Sequence, residues 1–294
     1  MPPRVMLTPL FRLLVPALVL AGTAPAQLAT SLQLSKTEYL AGESIIANVT
    51  ITNHAGRDIT FQGYLQRPWL DFVITNTRGD SATPTGRGVF GAMKIRAGET
   101  LTRQVDLAGA FQLFDQGNYS VSATIRLPGE GGETTVTNRI LFTVSPGRPY
   151  WTQKVGTVGR ASKIREFRIL NFSGDRKANL YAQVLDGTTG LPIRTFSLGE
   201  ALLLRKPSVT VDNKQRLHVL FLATPATLVH CQVDTDGKLV NRQLHQRGPY
   251  GDPSLVTAPT GVVTVTNSIP YDPKAAAAKQ AKFRKLSERP SITY

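Results

Sequence analysis

Four histidines, one cysteine and a set of turn aspartates are the residues of this chain that could hold a metal or move a proton. A metal site needs His, Cys or carboxylate ligands that converge. His230 and Cys231 are adjacent, so in a strand their side chains point to opposite faces and do not share an ion. His218 and His230 fall on segments that read as neighbouring strands, and theirs is the one pairing worth checking; His54 and His245 stand apart. No metal and no cofactor is expected. Cys231 sits in an apolar run and reads as a buried, inert thiol. No Gly-x-Ser-x-Gly elbow occurs, and Gly129 to Gly132 is followed by neither a helix nor a Lys-Ser/Thr pair, so it reads as a hairpin tip. Asp186, Asp234 and Asp236 belong to Asp-Gly-type turns. Calcium at Asp234-Thr-Asp236-Gly237 lacks the acidic positions that should follow, which Lys238, Leu239 and Val240 fill. Carboxylates paired in space for glycoside hydrolysis leave no spacing signature. Aromatics that could meet a sugar or peptide are Trp69, ahead of a strand at Leu70, and Tyr150-Trp151 beside a domain boundary.

The elements that must carry these groups are strands. Residues 28–147 alternate with period two at Leu32 to Leu34, Ile46 to Ile51, Leu70 to Ile74, Leu101 to Leu107, Tyr119 to Ile125 and Ile140 to Val144. Turn signals at Gly42, Gly56, Gly79, Gly98 and Gly129 separate them, which predicts an antiparallel sandwich. Asp115-Gln-Gly117-Asn-Tyr119 has the form of a tyrosine corner, in which the hydroxyl bonds backbone a few residues upstream.

Pro146-Gly-Arg-Pro149 marks a boundary, and the chain beyond it repeats itself. Pro207-Ser-Val and Pro253-Ser-Leu lie 46 residues apart, each followed by a turn and a second strand. Gln183-Val-Leu-Asp186 and Gln232-Val-Asp234 lie 49 residues apart. A period of about 40–50 residues with four strands per unit is a propeller-blade signature. Only two and a half such units fit, so a sandwich of β-meanders and an incomplete propeller both remain open.

On these residues the first region resembles the immunoglobulin-like, macroglobulin-like modules of bacterial exported proteins, and the second resembles propeller blades. The fold class this implies is all-β. The expected organisation is residues 1–26 signal peptide, 27–147 immunoglobulin-like sandwich, 148–272 β-rich repeat region, and 273–294 a basic helical or disordered tail.

Charge is uneven. Residues 27–147 hold ten basic and ten acidic side chains, whereas residues 148–216 hold thirteen basic against five acidic, and residues 274–294 six against one. Such patches attract polyanions. Lys274, Lys279, Lys282, Arg284 and Lys285 form the expected basic contact surface of the tail, on an Ala/Lys helix without an apolar face. At the other end, Arg4 and Arg12 precede the apolar run Leu13 to Leu20, and Ala24-Pro25-Ala26 supplies small residues for cleavage before Gln27. That run is too short to span a bilayer, so no transmembrane segment is expected after cleavage. Export ranks an envelope protein, a polysaccharide or an anionic lipid surface above nucleic acid as partner. The expectation is a secreted or periplasmic, non-enzymatic binding or structural protein of the cell envelope. The alternatives are a carbohydrate-active enzyme using carboxylates of the second region, and a partner-dependent subunit of an envelope complex.

Overall fold

A computed structural model describes residues 27–63, 68–86, 90–129, 133–157, 160–174 and 177–278. The expected signal peptide and most of the basic tail lie outside these residues. The chain is all-β, and no helix among the described residues is long and apolar enough to cross a membrane.

The first unit packs two sheets face to face. One is β1 (Leu28–Leu34), β3 (Ile46–Asn53) and β7 (Thr100–Asp106), in the order β1-β3-β7. The other runs β2 (Glu38–Leu40), β10 (Ile140–Ser145), β8 (Gly117–Arg126), β5 (Leu70–Asn76), with β9 (Thr134–Val136) added to β8. A small pair, β4 (Ile59–Phe61) and β6 (Met93–Ile95), stands apart from both sheets. Alternation does the building. In β3 Ala47, Val49 and Ile51 are fully buried, and in β8 Val121, Ala123 and Ile125 are too. Each strand contributes one apolar face to a single shared core. The turn α1 (Leu107–Ala110) follows β7, capped by the Asp106 carboxylate, which accepts from Ala108 N. One pairing departs from the antiparallel expectation: β2 runs parallel to β10, with Tyr39 opposite Val144. The tyrosine corner forms as read, the Tyr119 hydroxyl donating to Asp115 O at 2.9 Å.

The second unit consists of two antiparallel four-strand meanders. The first is β11 (Arg148–Thr157), β12 (Arg160–Gly174), β13 (Lys177–Asp186) and β14 (Pro192–Glu200). The second is β15 (Ser208–Val211), β16 (Leu217–Thr224), β17 (Thr227–Val233) and β18 (Leu239–Arg247). Phe167, Ile169, Ala182 and Val184 of the first meet Val219, Phe221, Val229 and Cys231 of the second in one core. The repeat signals fall on equivalent strands: Gln183 and Gln232 on the third strand of each meander, Pro207 and Pro253 just before a first strand. A third meander starts as β19 (Ser254–Thr257) and β20 (Val263–Thr266) and stops after two strands. The chain then returns as β21 (Ser268–Pro270) to the free edge of β18.

The two units touch through a mixed joint. Leu40 packs with Leu170 and Tyr181. Thr195 Oγ1 and Gln183 Nε2 both donate to Ala41 O, at 2.8 and 3.1 Å, and Thr195 N donates to Gly42 O at 3.0 Å. Glycine is required on both sides of the joint. Gly42 has φ +79° with Pro192 Cβ only 2.6 Å from where a Cβ would sit, and Gly147 has φ +70° with Leu40 Cδ2 at 2.9 Å.

Candidate functional site

The aromatic candidates separate. Trp69 is 3% exposed. It lies tilted against Phe61 at 4.8 Å and edge-on to Phe90 at 6.5 Å, and its Nε1–H donates to Gly91 O at 3.1 Å. The ring completes the core beside β4 and its one polar group is satisfied, so Trp69 offers no face to a ligand. Trp151 packs, half-buried, against the core of the second unit. Tyr150 occupies a bulge in β11 between Pro149 and Trp151 and stays exposed. Lys274 is exposed in a helical turn over residues 273–278, where Asp272 Oδ1 accepts its N–H at 2.8 Å. Lys279, Lys282, Arg284 and Lys285 lie outside the described residues.

An open face with exposed aliphatics lies elsewhere, on the outer side of the second sheet of the first unit. β8 turns Ser120, Ser122 and Thr124 outward, a floor of short hydroxyls. Leu141 stands opposite Ser120, Val73 opposite Ser122 and Val136 opposite Thr124. These three aliphatics are 70%, 52% and 58% exposed. Near the Asn118 end the face deepens into a groove of about 660 Å³ that crosses β2, β10, β8 and β5. Thr37, Glu38, Asn118, Arg139, Leu141 and Thr143 are among its walls. Thr143 Oγ1 donates to Asn118 Oδ1 at 2.7 Å, which orients the amide NH2. The sequence reading took Leu141 and Thr143 only as part of an alternating strand and assigned no site here.

The densest titratable cluster is on the second meander. β16 sends Leu217, Val219 and Phe221 into the core and His218 to the opposite face; β17 does the same with Val229, Cys231 and His230. Leu228 pairs with His245, which places His245 beside them on β18. His218, His230 and His245 are 1%, 3% and 6% exposed. The His218 and His230 rings stack at 5.2 Å, and the His230 and His245 centroids are 6.1 Å apart. Asp212 closes one end. Its Oδ2 lies 3.2 Å from His218 Nε2 and 2.7 Å from Arg216 Nε, and its Oδ1 accepts from Lys214 N and Arg216 N.

Burial opposes the Asp212 charge, but the Arg216 and His218 hydrogen bonds outweigh it and hold the carboxyl below its usual range. An ionised Asp212 assigns the tautomers. His218 Nε2–H donates to it, so His218 Nδ1 accepts from His230 Nε2–H at 3.1 Å. His230 Nδ1 is then a bare acceptor without a partner, and in His245 both the N–H and the acceptor nitrogen lack one. Burial first, then the two neighbouring imidazoles, push His230 down to about 4. Burial also lowers His218, against the pull of Asp212, and lowers His245.

Chemically this is a proton line without a target. Among the described residues no hydroxyl or thiol bonds to it, and no group of three or more His, Cys, Asp or Glu converges to hold a metal. The His218–His230 neighbourhood was legible from sequence. The participation of His245 was not, because β18 carries no clear alternation.

The turn aspartates converge on a cation. Arg165, 8% exposed, reaches Asp186 Oδ2 at 3.3 Å, Asp236 Oδ1 at 3.9 Å and Thr235 O at 3.1 Å. Backbone N–H groups of Thr189 and Thr188, with Arg165, keep the Asp186 pKa below normal. Asp234 Oδ1 accepts from Asp236 N and Lys238 N, as turn chemistry predicts. Cys231 is fully buried, and burial pushes its thiol up to about 11 despite Arg242.

No protein-family model matches the chain, and no curated protein matches it. Among solved structures, the sporulation control protein Spo0M from Bacillus subtilis aligns over 59% of this chain and 91% of its own, at 11% identity and a TM-score of 0.27. The YadV chaperone aligns over 73% and 98%, at 9% identity and a TM-score of 0.23. Similarity at this level carries no argument about either fold or role.

Proposed function

We propose that the chain is an exported, non-enzymatic binding or structural protein of the cell envelope. In this reading an immunoglobulin-like, macroglobulin-like sandwich is followed by propeller-like meanders. The observation that carries it is the outer face around β8, where Leu141, Val73 and Val136 are held in water along a hydroxyl floor. Exposed aliphatics grouped beside a groove mark interaction surfaces more often than catalytic ones. The Tyr119–Asp115 bond supports the immunoglobulin-like reading, and the equivalence of β13 with β17 supports the propeller-like one. Export is supported by the sequence pattern of Arg4 and Arg12, the apolar run Leu13 to Leu20 and Ala24-Pro25-Ala26. The partner classes are an envelope protein, a polysaccharide or an anionic lipid surface. A second reading, a partner-completed subunit, is favoured by β19–β20, a two-stranded unit with Val256 and Val262 exposed where its predecessors have four strands.

One experiment tests the main reading. The tagged full-length chain is expressed in a bacterial host and fractionated, its N-terminus is read by mass spectrometry, and its partners are captured. A mature start at Gln27 in the envelope fraction, with capture lost in Leu141→Glu, is the expected result. An uncleaved cytoplasmic product sinks the export half, and a partner set unchanged by Leu141→Glu sinks the assignment of the face.

A further inference from the structure

We propose that the Asp212–His218–His230–His245 line is an acid-sensitive latch that holds the segment from β19 through β21 against the second meander. The line is a buried one on one face of three neighbouring strands, with three imidazoles and one carboxylate. The segment attaches beside it at two places, its β19–β20 turn and its C-terminal end. The turn that carries Asp212 also carries Asn213, whose N–H donates to Gly261 O at 2.9 Å and whose Nδ2 donates to Thr260 O at 2.9 Å. Gly261 is fitted to that contact: a Cβ there would lie 2.8 Å from Asn213 Cβ. At the other end His245 itself is the register partner of Pro270 in β21, and Leu244 O accepts from Tyr271 N at 2.9 Å.

The charges around the line decide how it responds to acid. Arg216 and Asp212 face it from the β15–β16 turn and His230 from β17, while β18 carries His245 and, two residues on along the same face, Arg247, which is exposed and ion-paired with Asp252. Strands β15, β19, β20 and β21 contain no titratable residue. Asp212 is the one buried carboxylate among these groups, and Arg216 already neutralises it, as Arg247 does Asp252. A proton added to His230 or His245 therefore finds no counter-charge, and it enters beside another imidazole. Two charged imidazoles at stacking distance in a buried site repel.

Neutral imidazoles are the buried form, and the opened segment would let them charge at the ordinary value of 6.5. The open state therefore binds more protons, and the closed state loses stability as pH falls from 6.5 towards the folded values. For His230 alone, ordinary when open and about 4 when closed, the closed-to-open ratio falls roughly twentyfold between pH 7 and pH 5. His218 and His245 act in the same direction. The weakest pairing beside the line yields first: β18–β21 has three cross-strand partners, against four in β15–β16 and seven in β16–β17.

Hydrogen–deuterium exchange on the mature chain at pH 7.5 and pH 5.0, corrected for intrinsic rates, tests this. The expected result is at least a tenfold loss of protection over residues 254–271 at pH 5.0, with β8 of the first unit unchanged. In His230→Phe, which keeps a ring but cannot charge, the loss should shrink severalfold. Equal protection of residues 254–271 at both pH values overturns the latch. So does a uniform loss through both units, which would be whole-chain acid unfolding. Should His230→Phe fail to fold, the imidazole signals of the wild type decide. Three ordinary midpoints near 6.5 with no change in exchange would also overturn it.

Discussion

The Lys36 ammonium, in the β1–β2 connection, donates to Glu43 Oε1 at 2.6 Å and to the Tyr181 hydroxyl of the other unit at 3.2 Å. It also lies over the Tyr39 and Tyr181 rings, 4.9 and 5.4 Å from their centroids. Burial pulls the Lys36 pKa down, but the bond and charge of Glu43 more than offset it, so the pKa is raised. Lys36→Met leaves Glu43 and the Tyr181 hydroxyl without their shared donor. The expected loss is about 1–3 kcal/mol in a urea titration at pH 7. A raised lysine pKa means that this stability is whole below pH 10.5 and disappears as pH climbs through the folded value. The mutant and wild type should therefore converge at the alkaline end.

Gly42 and Gly56 allow the joint to be weighed separately from backbone strain. Both have positive φ, +79° and +70°. Beyond Gly56 a Cβ meets nothing within 4 Å, whereas at Gly42 it meets Pro192 Cβ at 2.6 Å. Gly56→Ala should cost about 1–2 kcal/mol, the left-handed penalty alone. Gly42→Ala should cost about 1–3 kcal/mol more, because the two units must also move apart. Chemical denaturation of both variants checks the difference, and equal losses would mean that the joint gives way freely.

Tyr119→Phe isolates the corner. Its hydroxyl bonds Asp115 O, while the ring stacks on Phe142 at 5.4 Å and is kept by the substitution. The expected loss is about 0.5–1.5 kcal/mol, one hydrogen bond to backbone. A Tm equal to wild type would show that the connection into β8 is held by the ring alone.

Strands with one wet face were legible in the sequence, and strands without one were not. The pattern of β3 and β8 survives because each has a solvent side, so alternation in sequence matches alternation in burial. The strands β2, β4, β6 and β9 are three residues long and have no period to read. β12 hides for another reason. Phe167 and Ile169 face the core of the second unit while Leu170 faces Leu40 of the first, so apolar residues occupy both faces. Its arginines count towards the basic excess of residues 148–216, although Arg165 is buried beside Asp186 and Asp236. The outer face around β8 was legible as residues but not as a site, because a half-buried strand always has a polar side. What marks it is the company of Leu141, Val73 and Val136, and that depends on register across three strands.

Cys231 tests how tightly the core between the two meanders is closed. The thiol is fully buried among Val219, Val229 and Val233, and its pKa is pushed up to about 11. Thiolate is the reactive form, so at pH 7 both access and ionisation suppress attack. Native protein should therefore fail to react with a thiol-specific disulfide reagent over hours, and protein in denaturant should react at once. At intermediate denaturant the labelling rate should follow the opening of the β12–β13 and β16–β17 sheets. Cys231 lies on the core face and the histidine line on the other, so a local release of residues 254–271 in acid leaves the thiol protected. Labelling that rises after a brief incubation at pH 5.0, before any loss of far-ultraviolet signal, would instead mean that the two meanders themselves part.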